Sequence, residues 1–312
     1  MMKQFVKQIL YFVLALLIVI GVFALVSSNF KKKLLNPENF RLSDSTTVLI
    51  IGDSEVALSL NPEFIPYSDN QSIIAEPYLY TYTRLKLFLE NNPQLESVLL
   101  GFNYQNIAKK YDLSLVDPRE ESFFFTREFM LLDENELKVF NSSDILFWRN
   151  YLAWKWGFPT KENGVLMLKS FFGKLDRKSL PYFGNYMDGG TAGSVGNAQG
   201  RIKETIGKES EYGIAPLQVE YLNKIIDLCR THNVQLIMYA SPLSKNYYDL
   251  IPDFLILEFE RIQKELPDNI HFLNYARYSL SDSCFSDANH VNRYGAEIIS
   301  RSVAEELPSL KK

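Results

Sequence analysis

Thr46-Thr47-Val48-Leu49-Ile50-Ile51-Gly52-Asp53-Ser54 is the stretch on which the fold turns. Its apolar, β-branched run shows no polar alternation. Such a run suits a central parallel strand covered on both faces. The run breaks at Gly52, and Asp53 and Ser54 follow. Open α/β sheets bind ligands beyond the carboxyl ends of their strands, so this break is where chemistry is expected.

Strand-like and helix-like runs alternate outward from it. Ser72–Ala75 is a short second strand candidate, Pro77–Glu90 is helical in spacing, and Ser97–Gly101 is a third strand candidate. Later, Pro216–Arg230 places Leu217, Tyr221, Leu222, Ile225, Leu228 and Cys229 on one helical face. Val234–Ala240 then reads as a buried strand, Asp253–Glu265 as a helix, His271–Leu273 as a last strand and Asn292–Glu306 as a closing helix. This alternation predicts an α/β fold with a parallel sheet covered on both faces. Residues 104–215 interrupt the pattern. They hold all three tryptophans (Trp148, Trp154 and Trp156) and a glycine-rich stretch, Gly184 to Gly200. They read as an insertion, partly helical, with a small aromatic core. The glycine-rich stretch reads as a flexible loop or a lid.

The amino end is of a different kind. Residues 9–26 are ILYFVLALLIVIGVFALV, and no charge occurs between Lys7 and Lys31. About 20 apolar residues cross a bilayer core as a helix. The run exceeds the 7–15 residues of a signal-peptide core, so it reads as an uncleaved anchor. The expected division is an anchor at 1–30, a connector at 31–45 and an α/β domain at 46–312. Basic residues at 1–42 (Lys3, Lys7, Lys31, Lys32, Lys33 and Arg41) face Glu38 alone. The chain as a whole is at −4, so the rest is acidic. That balance offers no phosphate-binding surface, and no nucleic-acid partner is expected. The basic end suits lipid headgroups. A bare count of flanking positive charges places the large domain in the cytoplasm. Long domains, however, translocate largely regardless of charge.

Cys229 and Cys284 are the only cysteines and His232, His271 and His290 the only histidines. No cluster has metal-ligand spacing, so neither a metal nor another cofactor is expected. Three polar signals stand at strand ends. Ser54, on a strand-to-helix turn, is placed as an exposed nucleophile or as an ordinary helix start. Gly101-Phe102-Asn103 follows the third strand, where the Asn103 amide can donate to an oxyanion or cap a turn. Asp287-Ala288-Asn289-His290 sets a carboxylate three residues before an imidazole. One local turn can then bring both together, with the aspartate fixing the tautomer of the base. His232 and His271 lack such a carboxylate and read as structural.

In order and placement, Gly52-Asp53-Ser54, Gly101-Phe102-Asn103 and Asp287-Ala288-Asn289-His290 resemble the SGNH/GDSL hydrolase superfamily. The resemblance covers roughly 46–103 and 216–306. It implies a flavodoxin-like three-layer α/β/α fold and a triad of Ser54, His290 and Asp287. The oxyanion donors it implies are the Ser54 backbone N–H, the Asn103 side chain and a backbone N–H from a second block. The family usually carries glycine in that block. Here Ala75 or Glu76 occupies the place. The anchor makes the chain similar to envelope proteins that acylate surface polysaccharides, often alongside a multispanning membrane-bound O-acyltransferase. The expectation is therefore a serine esterase or O-acyltransferase acting on acyl esters, foremost acetyl, of an envelope glycan. The domain would face outward on the periplasmic or extracellular side. Trp148, Trp154, Trp156, Tyr182 and Tyr186 are candidates for an aromatic glycan groove or for core packing. Two alternatives stand beside this. One is a silent SGNH scaffold binding a glycan or a membrane acyltransferase. The other is an anchored lipase or thioesterase.

Overall fold

The computed structural model describes residues 2–116, 131–140, 165, 168–173, 180, 182–191 and 193–310. The fold is mixed α/β. In chain order it contains α1 (Met2–Leu34), β1 (Val48–Ile51), α2 (Ser54–Ser59), β2 (Ser68–Asn70), α3 (Tyr78–Asn91), β3 (Ser97–Gly101), α4 (Lys109–Val116) and α5 (Glu134–Leu137). Then follow α6 (Ala198–Thr205), α7 (Pro216–Thr231), β4 (Gln235–Ala240), α8 (Lys245–Tyr248), α9 (Asp253–Glu265), β5 (His271–Asn274) and α10 (Arg293–Leu310). Two compact units result: residues 1–39 with 121–181, and residues 40–120 with 182–312.

In the first unit, α1 is one helix long and apolar enough to cross a membrane. Its large apolar side chains from Phe5 to Val26 are exposed. At 1.5 Å per residue its 33 residues extend roughly 50 Å, beyond the ~30 Å of a hydrocarbon core. The helix continues past residue 30 through Lys31–Lys33. Cations in a last turn complement the exposed carbonyls there, so the basic cluster ends the helix rather than beginning a connector. The three tryptophans lie outside the described residues.

The second unit holds a five-stranded, all-parallel sheet in the order β2-β1-β3-β4-β5. β1, β3, β4 and β5 coincide with the apolar runs to within two residues. The second strand does not. It is the polar Ser68-Asp69-Asn70, not Ser72–Ala75. β2 lies at the sheet edge, where an apolar run is not required. Asn70 is buried for a different purpose: its Nδ2 donates to the Leu60 carbonyl (2.8 Å) at the end of α2. Ile73 and Ile74 belong to the turn that follows.

Side chains of alternate strand residues face opposite ways. On one side Val48, Ile50, Leu99, Ile237, Tyr239 and Leu273 form one cluster with Ile299, Val303 and Leu307 of α10. The spacing of four puts those α10 residues on a single stripe. α3 and α7 pack together, and α7 packs on β4. The interruption of the pattern is narrower than 104–215. Residues up to 120 and from 182 onward belong with the sheet, as does the segment from Phe40. Tyr182 is core: it is 1% exposed and stacks on Phe40 at 5.5 Å.

A buried ion pair ties the β2–α3 turn in place. Arg84 Nη2 meets Glu76 Oε2 at 2.6 Å, with both side chains fully buried. Arg84 Nη1 also donates to the Gln71 carbonyl (2.8 Å), and Thr81 Oγ1 donates to Glu76 (2.8 Å). Removing one partner strands a charge in the core. Arg84→Met is therefore expected to destabilise the protein by about 3–5 kcal/mol in urea unfolding, and adding Glu76→Leu to recover most of it. An additive double variant contradicts the pairing.

Candidate active site

The strand order reverses between β1 and β3, so their carboxyl ends splay a crevice. β3 ends in Gly101 and β1 is followed by Gly52 because nothing larger fits. A Cβ on Gly101 would stand 2.2 Å from Val56 Cγ2, and one on Gly52 would stand 3.2 Å from the Gly101 Cα. This close approach delivers Asp53-Ser54 and Phe102-Asn103 side by side. Phe102 is buried, stacked on Phe259 of α9 at 4.6 Å.

Ser54 opens α2. Its Oγ lies 2.8 Å from His290 Nε2, and His290 Nδ1 lies 2.9 Å from Asp287 Oδ2. The structure thus brings Ser54 to Asp287 and His290, from which the sequence separates it by more than 230 positions. The local spacing from Asp287 to His290 works through a tight loop closed by the Phe285–Val291 bridge. Asp287 Oδ1 accepts the backbone N–H groups of Asn289 and His290, each at 3.0 Å. One carboxylate thereby shapes the loop and orients the imidazole. Burial alone would raise the Asp287 carboxyl. The hydrogen bond and charge of His290, the Asn289 N–H and the Arg201 charge outweigh it and hold the group down to about 2.

Asn103 is 1% exposed. Its Oδ1 accepts the Ser241 N–H (2.9 Å), which fixes the amide orientation. Its Nδ2 is buried and finds no partner among the described residues. Ala75 adopts φ +55, a left-handed conformation that costs a non-glycine residue about 1–2 kcal/mol. The Glu76 amide already donates to the Ile73 carbonyl (3.2 Å), and its side chain is spent on Arg84. Ala75 is what remains of the second block as an oxyanion candidate.

The sequence reading missed six contributors. Glu55, 2% exposed, accepts the Ser54 hydroxyl (2.9 Å) and Asn289 Nδ2 (2.6 Å). Asn289, fully buried, accepts Arg201 Nε (2.7 Å) on its Oδ1. Arg201, on α6, also stands 3.7 Å from Asp287 Oδ2. Asn106 Nδ2 (2.6 Å), Gln105 Nε2 (3.2 Å) and the Tyr111 hydroxyl (3.3 Å) donate to the buried Asp53. Burial and the adjacent Glu55 carboxylate push Asp53 well above the usual carboxylate range, against those hydrogen bonds. A charged residue inside the otherwise apolar Val56-Ala57-Leu58 helix start is the one signal that pointed to Glu55. Arg201 had none, since it lies 88 residues from Asn289.

The glycine-rich stretch is seated rather than free. A Cβ on Gly193 would fall 2.1 Å from the Ser286 carbonyl oxygen, and one on Gly184 as close to that of Ser72. Met187 N–H donates to the Ala57 carbonyl (2.8 Å), and Arg293 N–H to that of Gly190 (3.0 Å). Tyr186, half-buried, packs against Phe285, Val291 and Ala296. Among the described residues no group of three His, Cys, Asp or Glu side chains can hold a metal ion.

Asp287 yields a pH prediction. Its folded value is depressed, so its contribution to stability is full above the unfolded carboxylate range near 4 and is lost as pH falls through about 2. Thermal melts of the wild type and Asp287→Asn should differ at neutral pH and converge between about pH 4 and 2. A gap independent of pH contradicts this.

Neither protein-family models nor curated proteins match this chain, and the chemistry of the site rests on the geometry of its own side chains.

Proposed function

We propose that the chain is a membrane-anchored serine esterase or O-acyltransferase of the SGNH/GDSL kind, with a flavodoxin-like three-layer fold. The observation that carries this reading is the unbroken line from Asp287 through His290 to Ser54, at 2.9 and 2.8 Å. The strand order β2-β1-β3-β4-β5 and the placement of the line at the switch point support the fold.

In this reading Ser54 Oγ bonds to the acyl carbon while its proton passes to His290 Nε2. Asp287 holds the Nδ1–H and stabilises the imidazolium. The developing oxyanion takes hydrogen bonds from the Ser54 N–H at the start of α2, from Asn103 Nδ2 and from the Ala75 segment. His290 returns the proton to the departing alkoxide and leaves an acyl-Ser54. Water or a sugar hydroxyl then attacks the acyl carbon, giving its proton to His290, and His290 passes that proton to Ser54 Oγ as the acyl–Oγ bond breaks, releasing the acid or the acylated sugar. Asn103 supports this role because its donor is buried, aligned by Ser241 and otherwise unused.

The substrate class rests on the anchor together with the resemblance. An apolar helix at the amino end holds the domain at a bilayer, and the proposed substrates are acyl esters, foremost acetyl, of an envelope glycan on the outer side. A multispanning acyltransferase is the proposed partner. A lipase or thioesterase would use the same line on long-chain esters.

A fluorophosphonate probe on the full chain should label the wild type and not Ser54→Ala. Asn103→Ala should still label, about 10²–10³ times more slowly. Absence of labelling in folded protein overturns the nucleophile and favours a scaffold. Release of acetate from acetylated glycan, against hydrolysis of long-chain esters, separates the two enzymatic substrate classes.

A further inference from the structure

Ser54 Oγ has one proton and two acceptors, His290 Nε2 at 2.8 Å and Glu55 Oε2 at 2.9 Å. The other oxygen, Glu55 Oε1, lies 3.7 Å from His290 Nε2 and takes the Asn289 amide at 2.6 Å. The carboxylate, itself buried, therefore faces the reacting proton from the side opposite Asp287. A triad needs no such group, and Asp287 already orients the imidazole.

We propose that Glu55 is a second carboxylate of the charge system: it accepts the resting Ser54 hydroxyl and stabilises the imidazolium that forms when Ser54 gives its proton to His290. This rests on the reading of Ser54 as nucleophile. All three bonds are satisfied together when the imidazole is charged, with Nδ1–H on Asp287, Nε2–H on Ser54 Oγ and Ser54 O–H on Glu55. When the imidazole is neutral, Ser54 gives its one proton to Nε2 and Glu55 loses the Ser54 donor. Glu55 thus favours the charged ring both at rest and as the bond to the acyl carbon forms.

The surrounding charges fit this assignment. Asp53 lies within hydrogen-bonding reach of Glu55, and its buried Oδ1 finds no donor among the described residues. A proton held on Asp53 and shared with Glu55 fills that position and leaves the pair one negative charge. The other titratable groups facing Glu55 are Tyr111 of α4 and Tyr247 of α8, both raised by burial, so they stay neutral. Asp287 and Arg201 complete the set. Arg201 reaches Asn289 and Asp287, and its Nη2 stands 3.4 Å from His290 Nδ1, so its positive charge lies on the Asp287 side of the ring, opposes the charged imidazole from there and does not neutralise Glu55.

Glu55→Gln and Glu55→Ala both remove the charge, and Glu55→Asp keeps it. Whichever charge-removing variant folds suffices. Probe labelling of Ser54 across pH is expected to show its acid-side limb moved about one pH unit toward acid in that variant, since an adjacent opposite charge favours the charged form. The plateau rate should fall by up to about tenfold, the factor that one unit represents. Glu55→Asp should keep the wild-type limb. The ring signals of His290 by NMR, with His232 and His271 as internal controls, should shift along with the limb. An unmoved limb and unmoved ring signals in a folded charge-removing variant overturn the proposal while leaving the nucleophile standing. An unlabelled wild type whose ring signals still respond to Glu55 removes the nucleophile and keeps the Glu55–His290 coupling.

Discussion

β1 and β3 run parallel in adjacent positions, Val48 opposite Ser97 through Ile51 opposite Leu100, while their outgoing connections diverge to opposite edges of the sheet. Everything at the site depends on that divergence. Two neighbouring strands end at one level with no crossover between them, and the space above is open. Gly52 and Gly101 keep the two exits close enough for Ser54 and Asn103 to share that space, because a side chain on either would strike Val56. The remaining wall comes from the far end of the chain. α10 packs Ile299, Val303 and Leu307 on the same sheet face as Val48 and Ile50, and this holds the loop before it, with Asp287 and His290, over α2. The hydrogen bond between His290 and Ser54 is thus a product of sheet order and core packing rather than of local sequence.

This explains what the sequence made legible. A continuous apolar run is a physical demand of a central parallel strand, and β1, β3 and β4 met it. Asp287 and His290 were legible because the whole interaction fits within one loop. β2 was not, since an edge strand is chosen by what it caps: Asn70 serves the end of α2, and no periodicity encodes that. Glu55 was hidden by the habit of assigning charges to the surface. Arg201 was hidden by distance, and its relation to Asn289 exists only after the fold does. The glycine-rich stretch misled for a related reason. Glycine marks freedom in a sequence, but Gly184 and Gly193 are there because backbone passes within contact distance of Ser72 and Ser286.

The burial of so much charge beside Ser54 has a structural answer. Glu55 and Asp287 flank one imidazole and Asp53 stands behind Glu55, and an acidic cluster of that kind is unstable unless its oxygens are hydrogen-bonded. Neutral amides do most of this: Asn106 and Gln105 on Asp53, Asn289 on Glu55. Amides satisfy lone pairs without cancelling charge, so the field at the imidazole is preserved. One guanidinium, Arg201, is admitted on the Asp287 side of the ring, bonded to Asn289 and 3.4 Å from His290 Nδ1, where it holds the loop.

These supporting groups come from the margins of the α/β alternation. Gln105, Asn106 and Tyr111 lie where the α/β alternation first breaks, and Arg201 lies shortly before it resumes. Asp112 in the same stretch accepts the Leu217 and Gln218 amides at the start of α7 (2.9 and 3.2 Å), so α4 and α7 are joined directly. The supports of the two carboxylates thus come from opposite ends of the interruption: Asn106 donates to Asp53 at 2.6 Å, while Arg201 donates to Asn289 at 2.7 Å and stands beside Asp287. Neither support belongs to the α/β alternation itself, so the site is completed by residues the repeating pattern does not supply.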